Sequence, residues 1–315
     1  MYGNFWENLK NAFRHGDNSL YKLIAINLIL WAVFIVLNVF MTISGFGEVY
    51  AQLISYFMLP ASLARLLTQP WSLFTYMFLH EGLFHILFNM LFLYWFGQLI
   101  HQFLGSRKLT NLYVLGGLAG GVFYLLIYNL APYFSSSVDS SLMLGASAGV
   151  FAIVVGAATL SPNTTFFLLL LGPVKIKYIA IFYVILSFVN SAGANAGGEL
   201  AHLGGALIGY LYIIQLRRGV DLGVPVQKVG IFFENLFSRN PSKIKVSFRR
   251  PKAKTGTFSS YSKPTDTTSK VGSTKRSSEE TSQEEIDRIL DKIAERGYES
   301  LNKEEKRKLF EFSKK

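Results

Sequence analysis

Cysteine is absent from all 315 residues, which excludes disulfides, a thiol nucleophile and zinc–thiolate sites. Charge is nearly as scarce over the first two-thirds of the chain. Up to Leu216 there are 8 Lys or Arg and 6 Asp or Glu; from Arg217 onward there are 23 and 14, so the tail carries +9 of the formal +11. Soluble domains run to about a quarter charged residues, so the first two-thirds reads as a polytopic membrane domain. The N-terminal stretch MYGNFWENLKNAFRHGDNSLYK also lacks the basic-then-apolar layout of a cleavable signal. A basic tail following directly on a membrane domain gives no reason to expect nucleic-acid binding.

What the first two-thirds has in plenty is apolar runs, near 21–43, 85–104, 111–130, 145–160, 176–190 and 200–216. A helix needs about 20 residues to cross the hydrocarbon layer. The last three runs are therefore short, which a bundle around a water-filled cavity tolerates. TTFFLLLLGPVKIK (164–177) reads either as an interfacial loop or as part of the fifth span. Basic residues occupy alternate connections: Lys10, Arg14 and Lys22, then Arg107 and Lys108, then Lys175 and Lys177, then Arg217 and Arg218. The other connections hold Arg65 alone. The positive-inside rule then predicts six spans with both termini cytoplasmic.

The predicted organisation is an all-α polytopic membrane protein: a cytoplasmic N-terminus (1–20), a six-span domain (21–216), a basic, mostly disordered linker (217–281) and a small helical hairpin (282–315). GIFFENLF (230–237) is suited to the membrane surface, and the basic run 239–254 either meets anionic inner-leaflet lipids or serves as a solvated topology anchor. Each basic residue near such a surface contributes about 1 kcal/mol. In the hairpin, Ser282 and Glu285 form a capping box ahead of Ile286, Ile289, Leu290 and Ile293, with Gly297 as the stop. A second helix capped by Asn302 presents Leu309, Phe310 and Phe312. An element this small fits docking to a protein partner, or regulation, better than catalysis.

Polar residues within the spans carry the functional reading, because ionisable groups in hydrocarbon are costly and mark functional sites. HEGLFHILFN (80–89) brings His85 and Asn89 near the start of the second span, LGASAGVFAIVVG (144–156) brings Ser147 near the start of the fourth, and AHLGGALIG (201–209) brings His202 near the start of the sixth. All three spans start on the outer side, so the four residues share one depth. Taken singly, Ser147 between Gly145 and Gly149 fits ordinary small-residue helix packing, and His202 fits a buried hydrogen-bonding histidine. Together they make a mechanism, in which His202 takes the proton of Ser147 and His85 and Asn89, four apart on one face, donate to an oxyanion. Phe151, one turn after Ser147, is placed to stack on the His202 ring, and Gly205 smooths the helix face that His202 heads. No acid completes a triad in this reading: Glu199 is taken as a helix N-terminal residue, and Glu81 and Asp139 as loop residues.

These segments, in this order and on the second, fourth and sixth spans, resemble the rhomboid intramembrane serine proteases, and bacterial members with C-terminal extensions in particular. The resemblance covers roughly residues 20–216. It implies a six-helix bundle, Ser147 as nucleophile, His202 as general base and acid, His85 and Asn89 as oxyanion donors, and an aromatic at 151 against the histidine. It also implies transmembrane protein substrates cut near the outer side, no metal or cofactor, and residence in a bacterial plasma membrane. His80 matches an earlier family histidine of structural or hydrogen-bonding role, and Trp71 matches the first residue of a Trp-Arg pair. Three positions depart from the pattern. Ser72 replaces the arginine, so the first loop must be held differently; His101 stands for a glutamate; and Ala148, in place of a glycine, is expected to narrow the site. Two rival readings remain, a catalytically silent relative that binds or escorts membrane clients and a transporter, although no internal repeat supports the latter.

Overall fold

The computed structural model describes residues 4–14, 18–168 and 172–237, and in the C-terminal region residues 289, 292, 302, 304, 305, 307 and 308. The chain divides into two units, Met1–Lys243 and Ile244–Lys315. In the first, α1 (Phe5–Lys10) precedes α2 (Ser19–Ile43), and α3 (Gly47–Ser55), β1 (Leu59–Pro60), α4 (Leu63–Thr68) and α5 (Ser72–Thr75) build a long first loop that ends in a 3-10 turn, Tyr76–Phe78. There follow α6 (Leu83–Leu130), β2 (Leu142–Met143), α7 (Ser147–Leu160), β3 (Thr165–Leu168), β4 (Gly172–Lys175), α8 (Ile176–Asn190), α9 (Ala196–Arg217) and α10 (Val224–Phe237). Among the described residues α2, α6 and α9 are long and apolar enough to cross a membrane; α7 and α8 are apolar but shorter. On α2, Ile29, Val33, Val36, Phe40 and Ile43 are exposed, as expected of a helix whose outer face meets lipid.

The structure refines the expected helical pattern at three joints. The second and third apolar runs are two helical arms of α6 that meet at Gly105, whose φ of 81° and ψ of 171° are not helical, so the expected connection is reduced to a single residue. Glycine alone adopts that conformation without steric cost, so the chain turns within one residue and Arg107 and Lys108 lie inside the second arm. Helix α9 begins at Ala196, four residues before the apolar run, which brings Glu199 into its first turn. Strands β3 and β4 pair antiparallel with Thr165 opposite Lys175, so they precede the fifth helix and do not belong to it.

Helix α7 packs against both α6 and α9, which also pack against each other. Small residues make this possible. A Cβ on Gly116 would lie 2.3 Å from the Ala152 Cβ and one on Gly120 2.5 Å from the Ala148 Cβ, while Gly205 and Gly209 of α9 leave room for the Ala148 and Ala152 carbonyls. Without a hydrophobic drive between helices in lipid, such close backbone contact is what holds them. Ala148 therefore fills the groove over Gly120 and is fully buried; it faces α6 and does not narrow the site, contrary to expectation. Asn27 fastens α2 to this core, donating to the Leu23 carbonyl (2.8 Å) and to Tyr113 Oη (3.3 Å). At the other end Arg217 donates to the Thr159 carbonyl (2.7 Å), capping α7 with a group from α9.

The opposite face is closed by polar contacts. His101 Nε2 meets Ser106 Oγ across the Gly105 bend (2.9 Å), which is how the histidine at the expected glutamate position is used. Lys108 pairs with Asp221, which also accepts from Tyr212 Oη (3.3 Å) and the Gly223 amide (2.9 Å). Burial pushes the Asp221 carboxyl up, but the Lys108 and Gly223 hydrogen bonds outweigh it and hold the group below its ordinary value. Helix α10 follows, inside the segment expected to be a mostly disordered linker, and exposes Val229, Ile231 and Phe232.

With no arginine at position 72, the first loop is held by other donors. Gln69, 1% exposed, donates to the carbonyls of Ser55 (3.3 Å) and Met58 (3.2 Å). Trp71 Nε1 reaches the Tyr56 carbonyl (2.9 Å), Thr75 Oγ1 the Phe57 carbonyl (2.8 Å) and Arg65 the Ser55 hydroxyl (3.0 Å). Replacing Gln69 by leucine strands two part-buried carbonyls, each costing up to about 1–3 kcal/mol when unsatisfied. Gln69→Leu is expected to lower the thermal unfolding midpoint measurably, whereas Trp71→Phe, at a half-exposed position, should shift it less.

In the second unit, Asn302 and Glu305 exchange two hydrogen bonds of 2.8 Å, the amide of each donating to the side chain of the other, the reciprocal pattern of a capping box. Lys292 pairs with Glu305 (2.9 Å), and Ile289 is buried. The basic run 239–254, the Ser282–Glu285 capping box and Leu309, Phe310 and Phe312 lie outside the described residues.

Candidate active site

The segment before α7 sets the geometry. Leu59 pairs with Met143 and Pro60 with Leu142, the Ala61 amide donates to the Ser141 carbonyl (3.0 Å), and the Gly145 amide donates to the Tyr76 carbonyl (2.9 Å). The first loop thus grips residues 141–145 immediately before Ser147, the first residue of α7. Gly145 has a φ of 136°, which side-chain-bearing residues rarely adopt, and a Cβ there would lie 3.1 Å from His85 Nε2 and 3.4 Å from Ser147 Oγ. Its bare backbone keeps open the space between those two atoms. The expected Gly145–Gly149 pair accordingly divides: Gly149 is a packing residue, whose Cβ would meet the Tyr113 carbonyl at 2.8 Å.

A cavity of about 910 Å³ opens here, and His85, Asn89, Ser147, Phe151 and His202 all line it. Helix α6 supplies His85 and Asn89, α7 supplies Ser147 and Phe151, and α9 supplies His202. The Phe151 and His202 rings stack at 4.1 Å and 9°, and Tyr183 of α8 meets Phe151 edge-on at 6.2 Å. Asn89 Nδ2 donates one hydrogen to the His85 carbonyl at 2.8 Å; an amide nitrogen has two, so one remains for the cavity. Among the described residues Ser147 Oγ and His202 form no direct hydrogen bond, a looseness common in catalytic pairs before substrate binds.

His80 does not line the cavity. Its ring meets His85 edge-on at 5.2 Å and 68°, and both its nitrogens are buried, so it supports His85 by packing. Burial, reinforced by His85, pushes its imidazole down to about 3, so it packs as a neutral ring. Gly205 acts at a distance: its Cβ would lie 2.1 Å from the Ala148 carbonyl oxygen, so it sets how near α9, and with it His202, comes to α7.

Two partners of His202 went unassigned from the sequence. Glu199 Oε2 lies 3.2 Å from His202 Nδ1, and the Ser187 hydroxyl of α8 lies 3.1 Å from the same nitrogen. The expectation that Glu199 is a helix N-terminal residue only is therefore corrected. It occupies the first turn and also reaches the histidine, since residues three apart share a helix face. The i, i+3 spacing was the available signal for Glu199; nothing in the sequence marked Ser187 or Gln69.

Residues 67–219 match the rhomboid domain, and residues 276–315 match a family of unknown function, DUF6576. RHOMBOID-like protein 12, mitochondrial, of Arabidopsis thaliana is 33% identical over 159 residues, covering 47% of each chain. Rhomboid protein 1, mitochondrial, of Saccharomyces cerevisiae is 30% identical over 148 residues, 46% of this chain and 41% of its own. Inactive RHOMBOID-like protein 8 of Arabidopsis thaliana is 28% identical over 196 residues, 59% of this chain and 48% of its own. The chain spans about half the length of the curated relatives it matches.

Proposed function

From the match of residues 67–219 to the rhomboid domain, we infer that the protein is an intramembrane serine endopeptidase acting on transmembrane proteins. The observation that carries this reading is the lining of one cavity by His85, Asn89, Ser147 and His202 from three helices. Ser147 Oγ attacks the carbonyl carbon of an extended substrate segment while its proton passes to His202. The oxyanion so formed accepts from His85, from the second Asn89 N–H and from the Ser147 amide. His202 then protonates the departing amine, and water hydrolyses the acyl-enzyme by the same steps. The substrate must be unwound at the cut, because the carbonyls of a helix are shielded by their own hydrogen bonds.

In this reading the two arms of α6 count as separate spans, giving six in all, with both termini on the cytoplasmic side of a bacterial plasma membrane and the site near the outer face. The exposed apolar residues of α10 and the basic run 239–254 rest against anionic inner-leaflet lipid, and the C-terminal hairpin serves a protein partner.

The decisive test is reaction of the full-length protein in detergent with a fluorophosphonate, which needs no known substrate. Covalent modification of Ser147 that is lost in His202→Ala supports the reading. The names of two relatives, Inactive RHOMBOID-like protein 8 and Inactive rhomboid-related protein 2 of Caenorhabditis elegans, favour a second one, client binding without cleavage. Folded wild-type protein that is never modified, yet retains single-span polypeptides, would establish that alternative. Asn89→Ala is expected to slow modification about 10²–10³-fold, the usual loss for one oxyanion donor, as followed by the rate of label incorporation.

A further inference from the structure

We propose that Glu199 and Ser187 form a seat for His202 that fixes its tautomer, so that the site works with a carboxylate-supported histidine and not with a bare Ser–His pair. This rests on the endopeptidase reading for its catalytic consequence, but the seat itself is a structural statement. Two constraints meet on the ring. The face-to-face stack with Phe151 at 4.1 Å and 9° fixes the plane of the imidazole and cannot distinguish its two flipped orientations. The edge contacts can, because Glu199 Oε2 at 3.2 Å and Ser187 Oγ at 3.1 Å both address Nδ1, and a carbon in that position would remove both contacts to the ring.

The chemistry of the partners then sets the proton. An ionised carboxylate only accepts hydrogen bonds, so Nδ1 must carry hydrogen and donate to Glu199. That leaves Nε2 with a free lone pair, the form needed to take a proton from a serine hydroxyl. When Nε2 is protonated, the imidazolium lies beside the carboxylate. Ser187 is 2% exposed and sits on a different helix, α8, within hydrogen-bonding reach of the Glu199 carboxylate as well. It holds Glu199 against rotation away from the ring. A purely N-terminal role for Glu199, favourable to the helix dipole, requires neither the direction of its side chain nor a buried hydroxyl on α8. Glu199 and Ser187 are thus positioning residues acting through His202.

The test uses the full-length protein with Glu199→Gln, Glu199→Asp and Ser187→Ala. Three quantities are read: the rate of fluorophosphonate modification of Ser147, the thermal midpoint, and the ¹⁵N spectrum of histidine-labelled protein, in which His202 is identified among the chain's 5 histidines by His202→Gln. The seat predicts a His202 locked with hydrogen on Nδ1 in the wild type and a mixture of tautomers in Glu199→Gln. Modification should fall about 10²–10⁴-fold in Glu199→Gln, a range bounded by the loss seen when a supporting carboxylate is made an amide. Glu199→Asp should recover part of it, and Ser187→Ala should lose about tenfold or less. If Glu199→Gln fails to fold, Ser187→Ala must still show tautomer mixing. A wild-type His202 that carries its hydrogen on Nε2, or a folded Glu199→Gln with unchanged spectrum and rate, overturns the seat. A wild-type protein with the locked Nδ1–H form but no modification of Ser147 keeps the seat and removes the endopeptidase reading.

Discussion

Ser147→Ala and His202→Ala are each expected to lower cleavage of a quenched single-span peptide in proteoliposomes by roughly 10⁴-fold or more, the scale on which serine–histidine machinery fails as a unit. The size follows from the chemistry of the two groups. A serine hydroxyl holds its proton far too tightly to attack an amide carbonyl unaided, so removing the base leaves a nucleophile that cannot be made. Removing the nucleophile leaves a base with nothing to activate. Both changes delete the same step, so the double variant should be no slower than either single one. The residual rate then measures what His85, Asn89 and the Ser147 amide achieve alone. Its further loss in Ser147→Ala/Asn89→Ala would show that the oxyanion donors work independently of the pair. His202→Ala cleaving at the wild-type rate would remove the histidine from the mechanism and leave the stacked Phe151–His202 rings without a catalytic purpose.

How far the sequence discloses such a site depends on which physical constraint each residue answers. Spans are legible because hydrocarbon tolerates little else than apolar helices, and polar residues such as His85, Asn89, Ser147 and His202 stand out against that background. The two arms of α6 were legible as separate runs, but the one-residue joint between them was not. The sequence shows two apolar runs, and only the backbone conformation of Gly105 tells that the helix resumes at once. Ala148 was misread for the opposite reason. A methyl group beside a catalytic serine suggests a narrower site, yet helix geometry turns it toward Gly120. Glu199 was read as a helix N-terminal acid, a role the helix dipole already explains, so its three-residue spacing from His202 was given no second use; α9 begins at Ala196 and carries Glu199 in its first turn. Gln69 and the two-residue pairing of β1 with β2 lie in a loop where no periodicity operates, so tertiary contact alone reveals them.

Gly205→Ala is expected to damage the protein more than any other single added methyl group in the bundle. The new Cβ would lie 2.1 Å from the Ala148 carbonyl oxygen, 2.9 Å from its carbonyl carbon and 3.2 Å from its Cα. All three are backbone atoms, so no side chain can swing aside and α9 must move off α7. The displacement falls where it matters: Ala148 follows Ser147, and Gly205 comes three residues after His202. A shift near 1 Å in such a pair costs about 10²-fold in rate, and the overpacking itself costs about 1–3 kcal/mol of stability. Gly209→Ala separates the two effects. Its Cβ would meet the Ala152 carbonyl oxygen at 2.4 Å, a comparable wedge placed one turn farther from the serine and histidine. The thermal midpoints of the two variants should fall together, while cleavage per folded molecule should fall much further in Gly205→Ala. Equal losses of rate would mean that the α7–α9 contact contributes stability alone, and that the spacing of Ser147 and His202 is set elsewhere, by the grip of the first loop on residues 141–145.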